Sequence, residues 1–328
     1  MDVEEDDSGN ETRSNAGNLL ARVAGPDGAP TLLLCAHMDT VPLTTPVKVV
    51  DRDGRLENEG DGILGADNKA AVAVIMEVLR RLDSPPVGLE VLFTTCEELA
   101  LAGAKAFDQS KLQADYGFVF DHATPIGEII VAAPTFYRIQ ADIHGHAAHA
   151  GIEPEKGRNA IAVAASAIAR LQLGRLDDKT TANVGRIDGG TAVNVVAERC
   201  HADLEARSLD EARAAEVAAR IVDAFTEAAS DGECDVETLL EEQFRGYQLA
   251  RTAPPVGLAA AALDARGIEP RFITTGGGAD ANVFVNHGLQ VVNVANGTQH
   301  AHQANECVTV HALHTMLDVV LELVRLAP

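Results

Sequence analysis

Short, fully apolar runs recur along the first part of the chain, and helical patterns lie between them. Apolar runs of this kind are typical of strands that are covered on both faces, and their alternation with helices is typical of a parallel sheet. We therefore predict an α/β fold that contains a mostly parallel sheet. The predicted strands are residues 31–36, 89–93, 117–120 and 289–294, and an Ala-rich helix is predicted over residues 68–82.

The pattern changes in the middle of the chain. The order strand, helix, strand, strand, helix, strand (βαββαβ) predicts a ferredoxin-like α+β domain inserted into the larger one. We place the larger domain at residues 1–134 and 250–328 and the inserted domain at residues 135–249. The second inserted helix is predicted to start at a capping box formed by Ser208 and Glu211. The other inserted elements are predicted over residues 136–143, 157–171, 182–187, 194–206 and 235–240.

Charge and composition exclude several classes of partner. The chain carries 26 Lys and Arg residues against 49 Asp and Glu residues, and this net charge of −23 repels nucleic acid and anionic lipid. No apolar stretch approaches the roughly 20 residues that a membrane-spanning helix needs. The acidic start has no secretory pattern, and the five cysteines are far apart without a Cys-x-x-Cys motif. We therefore expect a cytoplasmic protein with no nucleic acid or membrane partner.

Acidic and histidine side chains follow the predicted strands at the point where each strand ends. Because ligands bind outside the carboxyl ends of the strands in open α/β sheets, we expect these side chains to converge on one crevice. Several carboxylates in one cleft repel one another, and a pair of divalent cations offsets that repulsion. The side chains are His37, Asp39, Asp67, Glu97, Glu98, Asp121 and His302.

The mixture of imidazole and carboxylate without thiolate favours zinc, with cobalt or manganese as substitutes. Asp39 lies two residues after His37 on a strand, so it can accept a hydrogen bond from the second ring nitrogen of His37. Glu97 and Glu98 are neighbours and cannot easily share one ligand position. We expect that one of them binds metal and that the other handles a proton.

The chain contains, in this order, the motifs His37-Met-Asp39, Gly65-Ala-Asp67-Asn-Lys69, Glu97-Glu98, Asp121, His146-Ala-Ala-His149-Ala-Gly151, and His302 followed by Glu306. As a set, these motifs resemble the dizinc exopeptidase and deacylase family that includes peptidase T, carboxypeptidase G and acetylornithine deacetylase. The segment 125–134 most resembles the peptidase T-like branch.

The resemblance implies two zinc ions in each chain, held by the larger domain, which is then the catalytic one. It also implies a cis peptide bond between Asp67 and Asn68. The implied assignment is His37 and Asp121 for one metal, Glu98 and His302 for the other, Asp67 as the bridge between them and Glu97 as the general base.

For the smaller domain, the resemblance implies a role as lid and dimerisation domain. His149 resembles the family histidine that reaches the site of a neighbouring subunit and stabilises the oxyanion, which implies a homodimer. Asn194 and Arg207 of the smaller domain, and Gly277 and Gly278 of the larger one, resemble the substrate-binding groups of the family.

The residues and the resemblance together predict a peptidase T-like tripeptide aminopeptidase that acts on short peptides. A hydroxide that bridges the metals would attack the scissile carbonyl, and Glu97 would take a proton and return it to the leaving amine. Two alternatives keep the same fold. One is an N-acyl amino acid deacylase or a carboxypeptidase with the same dizinc site, and the other is a non-catalytic, metal-binding scaffold.

Some of these residues also allow plainer interpretations. Arg207 could pair with Glu205 on the sheet surface, and His300 competes with His302 as a ligand. A metal-binding tract at the surface is a further alternative for His144, His146 and His149.

Overall fold

The computed structural model describes residues 1–327 and divides into two compact units. The larger unit contains Met1–Ala133 and the chain from Tyr247 onward, and the smaller unit is Pro134–Gly246. The sequence placed the corresponding boundaries at 134 and 250. Each unit buries its own apolar core.

Strands and helices alternate over most of the chain. The strands are β1 (Asp2–Glu5), β2 (Leu19–Val23), β3 (Thr31–His37), β4 (Val49–Arg52), β5 (Arg55–Asn58), β6 (Gly88–Thr94), β7 (Tyr116–His122), β8 (Glu128–Ala133), β9 (Thr135–His144), β10 (Gly174–Asp177), β11 (Thr180–Gly189), β12 (Arg199–Ser208), β13 (Asp235–Phe244), β14 (Tyr247–Gln248), β15 (Arg271–Thr274), β16 (Val291–Ala295) and β17 (Cys307–Thr309). The helices are α1 (Ser8–Thr12), α2 (Ala66–Arg81), α3 (Ala102–Ala106), α4 (Ala160–Arg170), α5 (Glu211–Asp231), α6 (Pro254–Ala265), α7 (Asp280–Asn286) and α8 (Val310–Leu326).

The larger unit is built on a mixed sheet whose central strands are parallel. In the order β1-β2-β6-β3-β7-β16-β8-β14, strands β6, β3, β7 and β16 run parallel to one another, and β15 pairs in parallel with β8. The pairs β1–β2, β2–β6, β16–β8 and β8–β14 are antiparallel. The predicted α/β fold is therefore confirmed, with antiparallel strands at both edges of a parallel centre.

Strand β3 illustrates why the sequence folds in this way. Leu32, Leu33 and Leu34 are each 0% exposed, so both faces of the strand are covered, as its uninterrupted apolar run predicts. Helix α2 packs against β3 and β7, and α8 packs against α2 and α6. On α2, the buried residues Val74 and Val78 lie one turn apart, which gives the helix one apolar face.

The smaller unit is an antiparallel sheet covered by two helices. Its strands lie in the order β10-β11-β12-β9-β13, and α4 and α5 pack against them. Alternate residues of β9, Ile139, Ala141 and Ile143, are at most 1% exposed and belong to the core that these helices complete. This arrangement is the ferredoxin-like order predicted from the sequence with one added strand, β10.

The smaller unit differs from the sequence-based prediction at three places. Strand β10 (Gly174–Asp177) was not predicted because it is short and mostly exposed, so it lacks an apolar pattern. Strand β12 begins at Arg199 rather than at residue 194. Helix α5 is capped by Asp210, whose carboxylate accepts a hydrogen bond from the Arg213 N–H, and not by Ser208, which is the buried last residue of β12.

In the part of the chain that the structure describes, every helix is too short or too polar to cross a membrane.

Candidate metal centre

The predicted ligands lie where the parallel strands of the larger unit end. Strand β3 pairs in parallel with β6 on one side and with β7 on the other, so the carboxyl ends of these strands meet at one edge of the sheet. His37 is the last residue of β3, Glu97 and Glu98 follow β6, and Asp121 lies near the end of β7. The sheet therefore places these side chains beside one another.

One group of side chains surrounds His37, which is only 2% exposed. Its Nε2 atom lies 3.3 Å from Oδ1 of Asp121 and 3.6 Å from Oδ1 of Asp67. Asp67 comes from the start of α2, where the Asp67–Asn68 peptide bond is cis, as the resemblance implied. Three elements thus contribute to this first group.

A second group surrounds His302, in the loop between β16 and β17. Its Nε2 atom lies 2.9 Å from Oε1 of Glu98 and 3.3 Å from Oδ2 of Asp67. The side chain of His302 is 52% exposed, whereas those of Asp67 and Glu98 are each 11% exposed, so only the histidine side of this group is open to solvent. Asp67 therefore presents one carboxylate oxygen to each group, which is the arrangement of a bridging ligand. His302, and not its competitor His300, makes these contacts.

The donor set fits a pair of divalent cations. Two ligands that each lie about 2.1 Å from a tetrahedral zinc ion are about 3.4 Å apart, close to the separations measured in both groups. The buried atoms Oδ1 of Asp67 and Oε1 of Glu98 accept no hydrogen bond of acceptable geometry, although imidazole nitrogens lie nearby. Buried carboxylate oxygens normally have a hydrogen-bond partner. Because these two have none, a bound metal ion could supply the missing interaction.

The pKa values in this cluster move in both directions: in spite of burial, hydrogen bonds to His302 and His37 lower the pKa of Asp67, whereas three other groups bind a proton more tightly. Burial raises the pKa of Asp121 to about 7 in spite of the neighbouring His37. Burial also raises the pKa of Glu97 well above its usual range, and the charge of Asp121 adds to the effect. Hydrogen bonding to Asp67 raises the pKa of His302 to about 9 against the effect of burial. Cations that took the place of these protons would relieve the crowding of like charges.

Glu97 and Glu98 are adjacent and both lie near His37, but their other neighbours differ, and Oε1 of Glu98 also lies 2.9 Å from Nε2 of His302. A carboxylate oxygen of Glu97 lies within 4.8 Å of ligand atoms of His37 and Asp121. A carboxylate oxygen of Glu98 lies within 4.8 Å of ligand atoms of His37 and Asp67. The two carboxylates can therefore serve different purposes, as their adjacency predicts.

Asp39 holds the turn that carries these two glutamates. Its carboxylate accepts hydrogen bonds from the backbone N–H of Glu97 (3.0 Å) and of Glu98 (3.1 Å). The sequence predicted that this carboxylate can accept a hydrogen bond from the second ring nitrogen of His37, and a main-chain oxygen of the same residue lies nearer to that nitrogen. Nδ1 of His37 lies 3.1 Å from the main-chain carbonyl oxygen of Asp39 and 3.5 Å from Oδ1 of its carboxylate. The carboxylate is turned towards the backbone of the glutamates instead.

Comparison with known proteins identifies the family. Residues 136–233 match the M20 family model described as "Peptidase dimerisation domain", and residues 18–137 match the one described as "Peptidase family M28". The chain is 38% identical over 328 residues to the uncharacterised protein YqjE of Bacillus subtilis, covering 99% of this chain and 88% of that protein. It is also similar to the crystal structure of aminopeptidase PepT from Bacillus cereus, with 37% identity, a TM-score of 0.88, and coverage of 98% of this chain and 88% of that one.

A tripeptidase from Staphylococcus aureus is similar as well, with 33% identity, a TM-score of 0.94, and coverage of 99% of this chain and 88% of that one. The chain belongs to the peptidase T-like branch of the M20 metallopeptidase family. The family, the fold and the assignment as a metallopeptidase that the motifs predicted are thereby confirmed.

Two of the other predicted residues of this M20 peptidase lie together in the smaller unit. His149 is exposed and forms an isolated β-bridge with Val195, and the N–H of Ala150 donates to the carbonyl oxygen of Asn194. The N–H of Gly151 donates to Nδ1 of His149 at 3.2 Å. His149 and Asn194 therefore belong to one pair of adjoining loops.

Arg207 is held on strand β12 by two neighbours. Its guanidinium lies 3.0 Å from Oε2 of Glu205 and 4.2 Å from the centre of the Phe136 ring. This ion pair with Glu205 is the plainer interpretation that the sequence allowed. A role of Arg207 in substrate binding stays a proposal.

Gly277 and Gly278 lie in the larger unit, in the loop between β15 and α7. The N–H of Gly277 donates to Oγ1 of Thr275 at 3.1 Å. A Cβ added at Gly277 would meet only that oxygen, at 3.7 Å, so the backbone here is open to close approach.

Two sets of three side chains within residues 1–327 have ligand atoms that all lie within 4.8 Å of one another, namely His37 with Glu97 and Asp121, and His37 with Asp67 and Glu98. Neither set contains His144, His146 or His149, and neither contains His302, whose place beside Asp67 and Glu98 rests on the distances above.

Sequence reasoning missed two buried asparagines beside the first group. Nδ2 of Asn68 lies 3.4 Å from Oδ1 of Asp121, and Nδ2 of Asn296 donates to Oδ1 of Asn68 at 3.2 Å. Both asparagines are 0% exposed. Asn296 directly follows strand β16, so the rule that polar residues at strand ends line the site would have found it.

Proposed function

We propose that this chain is an aminopeptidase that hydrolyses short peptides at a centre of two zinc ions. The observation that carries the proposal is the position of Asp67, whose two carboxylate oxygens face two separate pairs of histidine and carboxylate ligands. Its relatives support the peptide substrate, because the similar proteins of B. cereus and S. aureus are named an aminopeptidase and a tripeptidase.

Each proposed metal has its own side chains. His37 and Asp121 would hold the first ion and Glu98 and His302 the second, with Asp67 shared between them. When bound, the two ions would lower the pKa of a water molecule and polarise the scissile carbonyl. Imidazole and carboxylate ligands suit zinc, and cobalt or manganese would be accepted by the same set.

Glu97 would act as the general base and then as the general acid. Its carboxylate lies beside ligand atoms of the first group, within reach of a water molecule held there, and burial raises its pKa above the usual range. It would take a proton from the attacking water and donate it to the leaving amine. Asp39 would hold Glu97 in place through the backbone N–H of that residue.

The smaller unit would supply a dimer contact and substrate-binding groups. Its match to the peptidase dimerisation domain supports a homodimer. His149 would stabilise the oxyanion in the site of the neighbouring subunit, and Asn194 and Arg207 would bind the peptide together with Gly277 and Gly278. A strictly monomeric protein with full activity would contradict this part of the proposal.

A hydrolysis panel tests the proposed activity. Tri-alanine, its N-acetylated form and its C-terminal amide are incubated with the zinc-loaded protein, with and without EDTA, and N-acetyl-alanine is tested beside them. We expect cleavage of tri-alanine and of its amide, loss of activity on N-acetylation, and loss with EDTA. Cleavage that requires a free carboxylate would indicate a carboxypeptidase, and cleavage of N-acetyl-alanine would indicate a deacylase. No hydrolysis at all would leave the scaffold alternative.

A further inference from the structure

Glu306 is a buried acid that lies next to the proposed metal ligands and has no part in the proposed reaction. It is 2% exposed, and its carboxylate accepts two short hydrogen bonds from backbone amides. Oε1 accepts from the N–H of Asp67 at 2.7 Å, and Oε2 accepts from the N–H of Gly65 at 2.7 Å. One carboxylate thus binds both ends of the segment 65–67, at the start of α2.

This carboxylate joins two segments that each carry a ligand. Glu306 lies four residues after His302, and its own N–H donates to the carbonyl oxygen of Gln303 in the same turn. The segment that it holds contains Asp67, and Oδ2 of Asp67 lies 3.3 Å from Nε2 of His302. Glu306 therefore connects the backbone of one ligand to the loop that carries the other.

The two groups of ligands depend on Glu306 to different degrees. In the first group, His37 and Asp121 lie on β3 and β7, which the sheet aligns without help from residues 302–306. In the second group, His302 lies in a loop and is half exposed. The second group thus lacks the support that the sheet gives to the first.

We infer that Glu306 is a positioning residue that sets the separation of Asp67 and His302 and so maintains the affinity of the second metal position. The inference rests on the proposed function, because it requires that two metals bind. A carboxylate is suited to this task, since each of its oxygens accepts one of two separate N–H donors. The side-chain amide of glutamine has the same shape but only one acceptor, so one of the two bonds is lost.

A matched control lies on strand β6. Glu90 is 1% exposed, and its Oε2 accepts from the backbone N–H of Gln113 (2.8 Å) and of Ala114 (2.9 Å). It is a buried carboxylate with two backbone donors in the same unit, and it contacts none of the proposed ligands. Its Oε1 accepts from Nε of Arg22 at 3.0 Å, so Glu90→Gln removes either that acceptor or the one for the backbone, and in both cases leaves the metal centre untouched.

The experiment measures zinc affinity rather than activity. Metal-free wild-type protein, Glu306→Gln and Glu90→Gln, each checked for folding by circular dichroism, are titrated with zinc in competition with a chromophoric chelator. We expect two bound zinc ions in the wild type and in Glu90→Gln. In Glu306→Gln we expect the second position to be weakened by about 10- to 100-fold, the usual effect of removing a group that orients a ligand. The first position shares Asp67 but keeps His37 and Asp121 on the sheet, so we expect its affinity to fall by a smaller factor.

Either of two results overturns the inference: unchanged affinities in Glu306→Gln, or the same selective weakening in Glu90→Gln. If the wild type itself does not bind two zinc ions, the proposed function is wrong. If the wild type binds two and Glu306→Gln binds both as tightly, only the inference about Glu306 is wrong. Should Glu306→Gln not fold, Glu306→Asp replaces it, because it keeps both acceptors on a shorter side chain. A weakened second position in Glu306→Asp supports the inference, and two unchanged affinities overturn it.

Discussion

Oδ2 of Asp67 lies 3.3 Å from Nε2 of His302, although the two residues are far apart in the chain. The other oxygen of the same carboxylate lies 3.6 Å from Nε2 of His37. A single side chain therefore links two groups of ligands, and its loss should affect both.

We expect Asp67→Ala to lose both zinc ions, because each position loses the shared ligand. Asp121→Ala and His302→Ala should each lose one. Metal content per chain, measured by plasma mass spectrometry after dialysis, checks this. Asp318→Ala, which removes only a surface ion pair with Arg266, serves as the control. One ion retained at full affinity in Asp67→Ala would contradict the bridging role.

Glu97→Gln should keep both zinc ions and lower kcat by about 10²- to 10⁴-fold, the usual contribution of acid–base catalysis. The reason is that glutamine keeps the shape of the side chain but cannot carry the proton. Glu98→Gln is the matched comparison, since we expect it to lose the second ion instead. Parallel measurement of kcat and metal content separates the two glutamates. Wild-type turnover in Glu97→Gln would refute the assignment of the base.

Asp39→Asn should lower kcat by roughly 10- to 100-fold with both metals still bound, as the loss of a group that orients another does. Asparagine keeps one acceptor, so only one of the N–H groups of Glu97 and Glu98 remains satisfied. Steady-state kinetics with metal analysis on the same sample checks this. An unchanged kcat would mean that Asp39 does not hold the turn.

In the smaller unit, His201 should make stability depend on pH. Hydrogen bonds to Asp142 (2.8 Å) and Asp203 (3.1 Å) raise the pKa of His201, against weak burial. Because the pKa is higher in the folded state, the stabilisation is fully present below about pH 6.5 and is lost as the pH rises through the raised value. The pKa of Asp203 is lowered in spite of burial by hydrogen bonds that include one from Arg138.

Melting temperatures at pH 6 and pH 9 check this prediction. His201→Gln should reduce the difference in Tm between the two pH values, and the exposed His311→Gln, in the other unit, should leave it unchanged. The same difference in His201→Gln and in the wild type would rule out the contribution of His201.

Much of the centre could be predicted from the sequence because strand ends are local features. His37, Asp121 and the Glu97–Glu98 pair each follow an apolar run, and the parallel pairing of those runs brings their ends together. The adjacency of the two glutamates also predicted that they differ in role.

Other features depend on the packing of distant segments, which a single sequence does not reveal. The hydrogen bond between Glu306 and the N–H of Asp67 joins residues that are 239 positions apart in the chain. The orientation of Asp39 depends on the geometry of the turn after β6, where Cys96 has a positive φ of 55°. Strand β10 is stabilised by its pairing with β11 and not by an apolar pattern of its own.

The most direct test of the proposed centre is anomalous X-ray diffraction at the zinc absorption edge, on crystals of the protein loaded with zinc. We expect two anomalous peaks about 3.5 to 4 Å apart on either side of the Asp67 carboxylate. One peak should lie beside His37 and Asp121, and the other beside Glu98 and His302. The absence of a peak at both positions, or a single peak that lies away from the Asp67 carboxylate, would contradict the proposed centre.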